Sequence, residues 1–271
     1  SHSNMTFIKG EGLQDDAHRT ERNIQFGVRE FAMATVLNGM MLHGGVRVFG
    51  GTFFVFSDYL KAALRLSALQ NLPVTYVFTH DSIAVGEDGP THEPIEHLAS
   101  LRTIPNTYVF RPADATETQA AWYLAQNVND KPTSIVLTRQ NLPVLENSSF
   151  EKVAKGAYVV YETSSDFDTI LIATGSEVAL AISVAQELER EGMKVRVVSM
   201  PSIELFEEQT SEYKEALLPR SIRRRVSLEM GNTALWYKYV GLDGLAIGIN
   251  KFGASAPANK VIEEYGFSVE K

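Results

Sequence analysis

The sequence predicts an α/β protein with two domains, each a mainly parallel β-sheet flanked by helices. Short apolar runs alternate with segments whose apolar residues recur at i, i+3 and i+4, as in sheets covered by helices on both faces. Near residues 146–155 this periodicity lapses into a stretch rich in Asn and Ser, which we interpret as a linker. A chain of 271 residues is long enough for two cores.

The first domain is predicted to span residues 1–145, with its own first strand missing from the chain. Its strands are predicted at Asn23–Phe26, Val46–Gly50, Val74–Thr79, Thr107–Phe110 and Ser134–Thr138. Its helices are predicted at Val28–Leu42, Ser57–Gln70 and Thr116–Asn127.

The second domain is predicted to span residues 156–271. Its strands are expected at Tyr158–Tyr161, Thr169–Ala173, Val195–Ser199, Val226–Leu228 and Ala246–Ile249, and its last helix at Pro257–Tyr265. Thr174 or Ser176 is expected to cap the helix that follows the second of these strands. No cluster of reactive side chains is evident here, so we assign this domain to stability and subunit contact.

Composition excludes several classes of function. A formal net charge of −8 disfavours a nucleic-acid or anionic-membrane surface. The absence of cysteine excludes a disulfide framework, a thiolate metal site and a cysteine nucleophile, and it fits a cytoplasmic location. No apolar stretch reaches bilayer length.

The loop His80–His92 is the strongest functional signal. It follows an apolar strand and places two imidazoles and three carboxylates, those of Asp81, Glu87 and Asp88, among glycines and a proline. A single histidine is more often structural than catalytic, but this grouping is difficult to explain by folding alone. We therefore predict a reactive site here, with Asp81 and Glu87 organising the loop.

Other candidate residues also follow predicted strands, where ligands bind in open parallel sheets. Taken singly, Glu30 fits a helix-dipole carboxylate, the aromatic series Phe53, Phe56 and Tyr59 fits a core stripe, and Arg139 fits an ion pair. The functional alternative is a carboxylate, an aromatic slot and a phosphate-binding guanidinium around one cavity.

Several segments resemble transketolase. They are Ser3-Asn4-Met5-Thr6, Phe26-Gly27-Val28-Arg29-Glu30-Phe31, Gly51-Thr52-Phe53, the loop His80–His92, and Arg139-Gln140-Asn141-Leu142. The resemblance implies a thiamine-diphosphate-binding fold, here the pyrimidine-binding domain, followed by the transketolase C-terminal domain. It also implies transfer of a two-carbon ketol unit from a ketose phosphate to an aldose phosphate, a reaction of the pentose phosphate pathway.

By this resemblance, Glu30, Asp88 and His92 are the catalytic candidates. Glu30 would hydrogen-bond the cofactor's pyrimidine ring, which Phe53 and Phe56 would hold by stacking and Tyr59 would border. The remaining assignments concern the substrate. His80 and Arg139 would contact its phosphate, with Ser3 as a weaker contributor. Asp88 would contact a donor hydroxyl, and His92 would contact the donor carbonyl or terminal hydroxyl.

The sequence also departs from the family. Transketolases hold the diphosphate through Gly-Asp-Gly and a downstream Asn on a divalent cation, Mg or Ca, in a separate N-terminal domain, and neither Asp88-Gly89-Pro90 nor Leu242-Asp243-Gly244 supplies that spacing. We expect this chain alone to bind no metal and no thiamine diphosphate, and to be inactive. Its partners would be phosphorylated sugars and either a second copy in a homodimer or the missing domain.

Three alternatives remain open. The chain is a non-catalytic scaffold, one subunit of a two-chain thiamine-diphosphate enzyme, or part of a related synthase that condenses pyruvate with a sugar phosphate. Arg139 together with His80 favours phosphorylated sugars over other substrates.

Overall fold

The first sheet has four parallel strands in the order β1-β2-β4-β3. The structure, a computed structural model, describes residue 4 and residues 6–271. The strands are β1 (Phe49–Phe53), β2 (Thr75–Thr79), β3 (Tyr108–Phe110) and β4 (Thr133–Val136). Buried side chains fill both faces of this sheet, which agrees with the near-continuous apolar strands of the sequence.

Four helices flank this sheet. They are α1 (Glu30–His43), α2 (Ser57–Leu69), α3 (His97–Arg102) and α4 (Ala115–Asn127). A 3-10 turn at Phe54–Phe56 leads from β1 into α2. The apolar side chains of Phe54, Leu60, Leu64 and Phe78 are buried in one cluster, so α2 packs closely on the sheet.

Strand β1 lies three residues later than predicted from Val46–Gly50. Val46 is 49% exposed and belongs to the connection after α1. Gly50 and Gly51 are instead inside the strand, because other chain segments approach them closely. A Cβ on Gly50 would lie 2.6 Å from a methyl of Leu37 and 3.2 Å from the sulfur of Met33, both on α1, and one on Gly51 would collide with Thr6.

The predicted strand Asn23–Phe26 is wrong. Within the residues that the structure describes, this segment pairs only through an isolated bridge between Leu13 and Asn23. The side-chain amide of Asn23 binds backbone groups of Ile8 and Glu11, which replaces the regular ladder of a sheet. The apolar Ile24 favoured a buried strand in the sequence. In the structure it is 38% exposed, and no strand forms here.

The second sheet has five strands in the order β5-β7-β6-β8-β9, and only the edge strand β5 is antiparallel. The strands are β5 (Tyr158–Glu162), β6 (Thr169–Ala173), β7 (Val195–Ser199), β8 (Arg224–Leu228) and β9 (Leu245–Ile247). The helices are α5 (Phe150–Val153), α6 (Glu177–Arg190), α7 (Ile203–Glu207), α8 (Ser211–Leu217), α9 (Tyr237–Val240) and α10 (Ala258–Glu264). Among the described residues, none of these helices or of the first four has the length and hydropathy needed to cross a bilayer.

The two sheets share one apolar cluster. Phe110 and Ala121 from the first sheet and its helix α4 pack in the same cluster as Tyr158 and Leu171 from the second. Helix α5 lies inside the stretch that we interpreted as a linker, and its Val153 is fully buried in that cluster. The connection is therefore packed against both halves.

Candidate active site

Three neighbouring strands of the first sheet end beside one another and carry the predicted site residues. Strand β2 lies between β1 and β4, and all three run parallel. Strand β1 ends at Phe53, β2 is followed by the loop His80–His92, and β4 is followed by Arg139. Carboxyl ends of parallel neighbours share one edge, so these residues face the same region of the molecule.

Aromatic and imidazole rings form a cluster at this edge. The ring of His80 stacks on Phe53 with centroids 3.6 Å apart. Phe53 and Phe56 are nearly parallel at 6.3 Å, and His92 meets Phe56 edge-on at 5.5 Å. Tyr59 borders the cluster through Phe56 at 6.0 Å, and 66% of its surface is exposed. The aromatic series Phe53, Phe56 and Tyr59, which we call the aromatic slot, is therefore partly exposed, whereas its neighbour Phe54 belongs to the core.

The backbone places His80 in an uncommon conformation. Its φ angle is +62°, in the left-handed region that few residues other than glycine adopt. The Nδ1 atom lies 2.9 Å from the hydroxyl of Thr79, and that hydroxyl accepts a 2.6 Å hydrogen bond from the side-chain amide of Asn4. Both partners orient the ring, and neither had been predicted from the sequence.

Charged groups surround His80 and set its protonation. Burial lowers the pKa of His80 most strongly, and the positive charge of Arg139 lowers it further. Asp88 and Asp81 act in the opposite direction without reversing the shift. The imidazole is therefore neutral at pH 7. Arg139, Asp88 and His92 all lie within electrostatic reach of this ring, so the structure brings these predicted residues together.

Helix α1 places Glu30. It begins at Glu30, and its Met33 and Leu37 pack against Gly50 of β1. Only residues 44–48 connect the end of α1 to the start of β1, so the helix runs back along the strand and its first turn lies towards the edge where β1 ends. Glu30 is partly exposed there. Ser3, the remaining predicted residue, lies outside the described residues.

The slot offers flat apolar rings with a carboxylate at the same edge, a combination suited to a flat heterocycle with a polar rim. A cation site is less evident. Among the described residues, ligand atoms of Asp58, Glu96 and His97 lie within 4.8 Å of one another. However, the two carboxylates meet opposite nitrogens of the imidazole, at 3.1 and 3.9 Å, so one ion cannot bind all three without rearrangement.

Family profiles divide the chain in the same way as its two sheets. A profile described as "Transketolase, pyrimidine binding domain" matches residues 1–144, which is more than half of the chain. The chain belongs to the transketolase family. A second profile, "Transketolase-like TK C-terminal domain", matches residues 156–268.

Individual transketolases agree with this assignment. The chain is 72% identical over 270 residues to a protein named "Probable transketolase" from Streptococcus pneumoniae serotype 4, covering 100% of this chain and 41% of that protein. Its fold resembles a transketolase from Pichia stipitis solved in complex with sedoheptulose 7-phosphate, with a TM-score of 0.95 and 43% identity over 99% of this chain and 40% of the other.

A third relative has a different organisation. A split-gene transketolase, solved as an inactive beta4 tetramer, matches with a TM-score of 0.76 and 25% identity, covering 95% of this chain and 88% of that one. The chain thus spans about 40% of the length of the first two transketolases but nearly the whole length of this one.

Proposed function

We propose that this chain supplies the pyrimidine-binding and C-terminal domains of a transketolase that transfers a two-carbon ketol unit between sugar phosphates. One observation carries the proposal: an aromatic slot, a histidine pair and an arginine follow three neighbouring parallel strands at one edge. The proposal includes a cytoplasmic location and a reaction of the pentose phosphate pathway, both of which follow from the family and not from the site geometry.

Glu30, Phe53 and Phe56 are proposed to hold the cofactor's pyrimidine ring. Thiamine diphosphate bound here would supply the carbanion chemistry of ketol transfer. The carboxylate of Glu30 would hydrogen-bond a ring nitrogen and share a proton with it, and the faces of Phe53 and Phe56 would exclude water from the ring. Tyr59 closes the outer side of the slot.

His80, Asp88, His92 and Arg139 are proposed to hold the sugar phosphate, with Ser3 assisting. Arg139 is exposed, so its planar guanidinium is free to bind a phosphate in pairs of hydrogen bonds. A neutral His80 beside it can donate a hydrogen bond to the same phosphate. The Pichia stipitis structures with sedoheptulose 7-phosphate and fructose 6-phosphate support sugars of this class.

The diphosphate and its Mg or Ca ion are proposed to bind a domain outside these 271 residues, in a homodimer or a two-chain assembly. Helix α1 supports a partner at this site because its outer face is apolar: Phe31 is 49% exposed and Val36 43%. Val28, just before the helix, is 91% exposed. Such a surface next to Glu30 suits burial against a second polypeptide. The split-gene relative favours the two-chain version as the second candidate.

Complementation tests this proposal. The chain alone is expected to show no ketol transfer from fructose 6-phosphate. Fusion to the part of the Streptococcus pneumoniae relative that lies outside the matched segment is expected to give turnover that requires thiamine diphosphate. Activity on simple mixing would favour the two-chain enzyme. A folded fusion that binds thiamine diphosphate but has no activity would favour the non-catalytic scaffold.

Replacement of the carboxylate tests the role of Glu30 within that fusion. Glu30→Gln is expected to lower kcat at least about 100-fold, because the amide cannot share a proton with the ring nitrogen. Glu187→Gln, on an exposed turn of α6, serves as the matched control. Turnover of Glu30→Gln equal to that of the control would remove Glu30 from the mechanism.

A further inference from the structure

The loop His80–His92 leaves the first domain's sheet but rests on the second domain. Its beginning is held by buried charges, its middle by an apolar cluster and its end by close contacts with Ser255 and Ala258. The residues that hold the loop are different from those assigned to the cofactor and the substrate.

A buried ion pair holds the beginning of the loop. Asp81, next to His80, accepts a 2.9 Å hydrogen bond from Nε of Arg111, and Nη2 of the same guanidinium lies 2.8 Å from that carboxylate oxygen. Arg111 also donates to Glu177 of α6 and to the carbonyl and hydroxyl oxygens of Thr174. Asp81, Arg111 and Glu177 are each at most 1% exposed. The backbone beside His80 is therefore tied to the second domain through one guanidinium.

The guanidinium of Arg111 remains charged. Burial acts to lower the pKa of Arg111, but Glu177, Asp81 and Glu229 more than offset it, so its pKa is raised. Glu229 is held by Arg102 at 2.8 Å and by the hydroxyl of Thr174 at 2.5 Å, and its pKa falls to about 2 although burial alone would raise it. Thr174 is thus a member of the network, and Ser176, at the start of α6, makes no side-chain cap hydrogen bond, so the cap predicted for Thr174 or Ser176 is wrong.

An apolar cluster supports the middle of the loop. Ile83 is fully buried against Met230, Val261 and Phe267, all from the second domain. Ile95, just beyond the loop, belongs to the same cluster.

The end of the loop lies on the segment before and at the start of α10. The hydroxyl of Ser255 donates to the carbonyl of Glu87 at 2.6 Å. Gly86 and Gly89 have φ angles of +80° and +74°, and a Cβ on either would press on Ala258 or Ser255 at 2.9–3.0 Å. Glu93, only 2% exposed, lies against Gly253, where a Cβ would collide with its carboxylate. The close fit leaves little room for the loop to move.

We propose that the second domain positions the catalytic loop that holds His80, Asp88 and His92 at the edge of the first sheet. The positioning residues are Ser255 of that domain and Arg111 of the first domain, whose guanidinium joins the loop to Thr174 and Glu177. The proposal rests on the function proposed above for these three residues. It gives the second domain a part in catalysis without contact to the reacting atoms.

Amide hydrogen exchange of this 271-residue chain tests the proposal without cofactor or activity. The amides of Gly89 and His92 form hydrogen bonds within the loop, so their exchange reports its opening. Ser255→Ala is expected to speed their exchange about fivefold, and Ser255→Thr, which keeps the hydroxyl, is expected to restore the slow rate. Ser183→Ala removes a similar exposed hydroxyl-to-carbonyl bond on α6 and should leave the loop unchanged.

Turnover of the fusion provides the second measurement. Ser255→Ala is expected to lower kcat/KM about three- to tenfold, with a thermal midpoint equal to that of Ser183→Ala. Loop exchange equal to that of the Ser183→Ala control, or faster loop exchange with unchanged kcat/KM, would overturn the proposal. An inactive wild-type fusion would instead contradict the proposed function, and the exchange rates would still decide whether Ser255 holds the loop.

Discussion

At the scale of single residues, His80 is controlled by opposing influences. Stacking on Phe53 removes water from its ring, which favours the neutral form, and Arg139 favours the same form. Asp88 and Asp81 favour the imidazolium. Because burial has the largest effect, the neutral ring prevails, and the protonation of His80 depends on groups from two strand ends.

Replacing Arg139 should raise the pKa of His80. In Arg139→Gln the positive charge is lost while burial persists, so we expect the pKa to move part of the way back to its ordinary value. Imidazole proton shifts of this chain, followed by NMR over pH, measure the change. Arg190→Gln on α6, also an exposed arginine, is the control. An unchanged titration of His80 in Arg139→Gln would mean that the guanidinium lies too far away to act on it.

At the scale of elements, the predicted strands that agree with the structure are those whose residues are buried. Strands β6 and β7 lie where predicted, because all five residues of β6 and four of the five in β7 are buried between layers. The segment Asn23–Phe26 failed because a short apolar run does not reveal whether a neighbouring strand exists. The start of β1 was misplaced because glycines that accommodate a close neighbour look like a turn in sequence.

The supports of the site were the least accessible to sequence analysis. The sequence predicts that Asp81 organises its loop. Nothing in the sequence distinguishes its partner Arg111 from other charged residues that follow a strand. Ser255 and Glu87 are 168 residues apart, and nothing local in either segment indicates their hydrogen bond. The candidate site residues follow predicted strands, so the sequence pattern can identify them. The residues that support them from distant parts of the chain can be identified only from the folded structure.

Asp114 joins helix α4 to the packed connection, and its loss should be costly. One carboxylate oxygen caps α4 through the amide of Glu117 at 2.7 Å, and the other accepts from Leu145 and Ser148. Asp114→Ala should therefore lower the free energy of unfolding by about 3 kcal/mol, since it removes a cap and leaves buried donors unpaired. The exposed cap of α8, removed in Thr210→Ala, should cost about 1 kcal/mol.

Urea denaturation of the two variants measures this difference. Equal losses in Asp114→Ala and Thr210→Ala would mean that the bonds to Leu145 and Ser148 add no net stability.

At the scale of the whole molecule, the two sheets should unfold together. The apolar cluster that includes Phe110 and Leu171 is continuous between them, and the pair Asp81–Arg111 adds a buried charge link. Trp122→Phe leaves Trp236, buried in the second domain, as the remaining tryptophan. We expect its fluorescence and the far-ultraviolet circular dichroism of the whole chain to change at one urea concentration. Two separated midpoints would show that the domains unfold independently.

Glu117 should make the stability of the joined domains depend on pH. Its fully buried carboxyl accepts hydrogen bonds from Ser199 at 2.6 Å and Tyr158 at 2.8 Å, both in the second domain. Burial raises the pKa of Glu117 to about 7, well above that of an unfolded glutamate. The folded state therefore binds a proton that the unfolded state releases, and the stabilisation present at low pH is lost as pH rises towards and past 7.

Glu117→Gln removes this titration, so the variant should lack the pH dependence of stability that Glu117 gives the wild type. Relative to the variant, the wild type should lose about 2 to 3 kcal/mol in free energy of unfolding between pH 5 and pH 8.5, because each unit of pKa difference corresponds to about 1.4 kcal/mol. Urea denaturation at several pH values measures this difference in free energy of unfolding. For the control Glu187→Gln, an exposed site on α6, the difference from the wild type should be the same at every pH. A pH-independent difference for Glu117→Gln would mean that the carboxyl is ionised in the folded protein, with water or a cation reaching the boundary between the sheets.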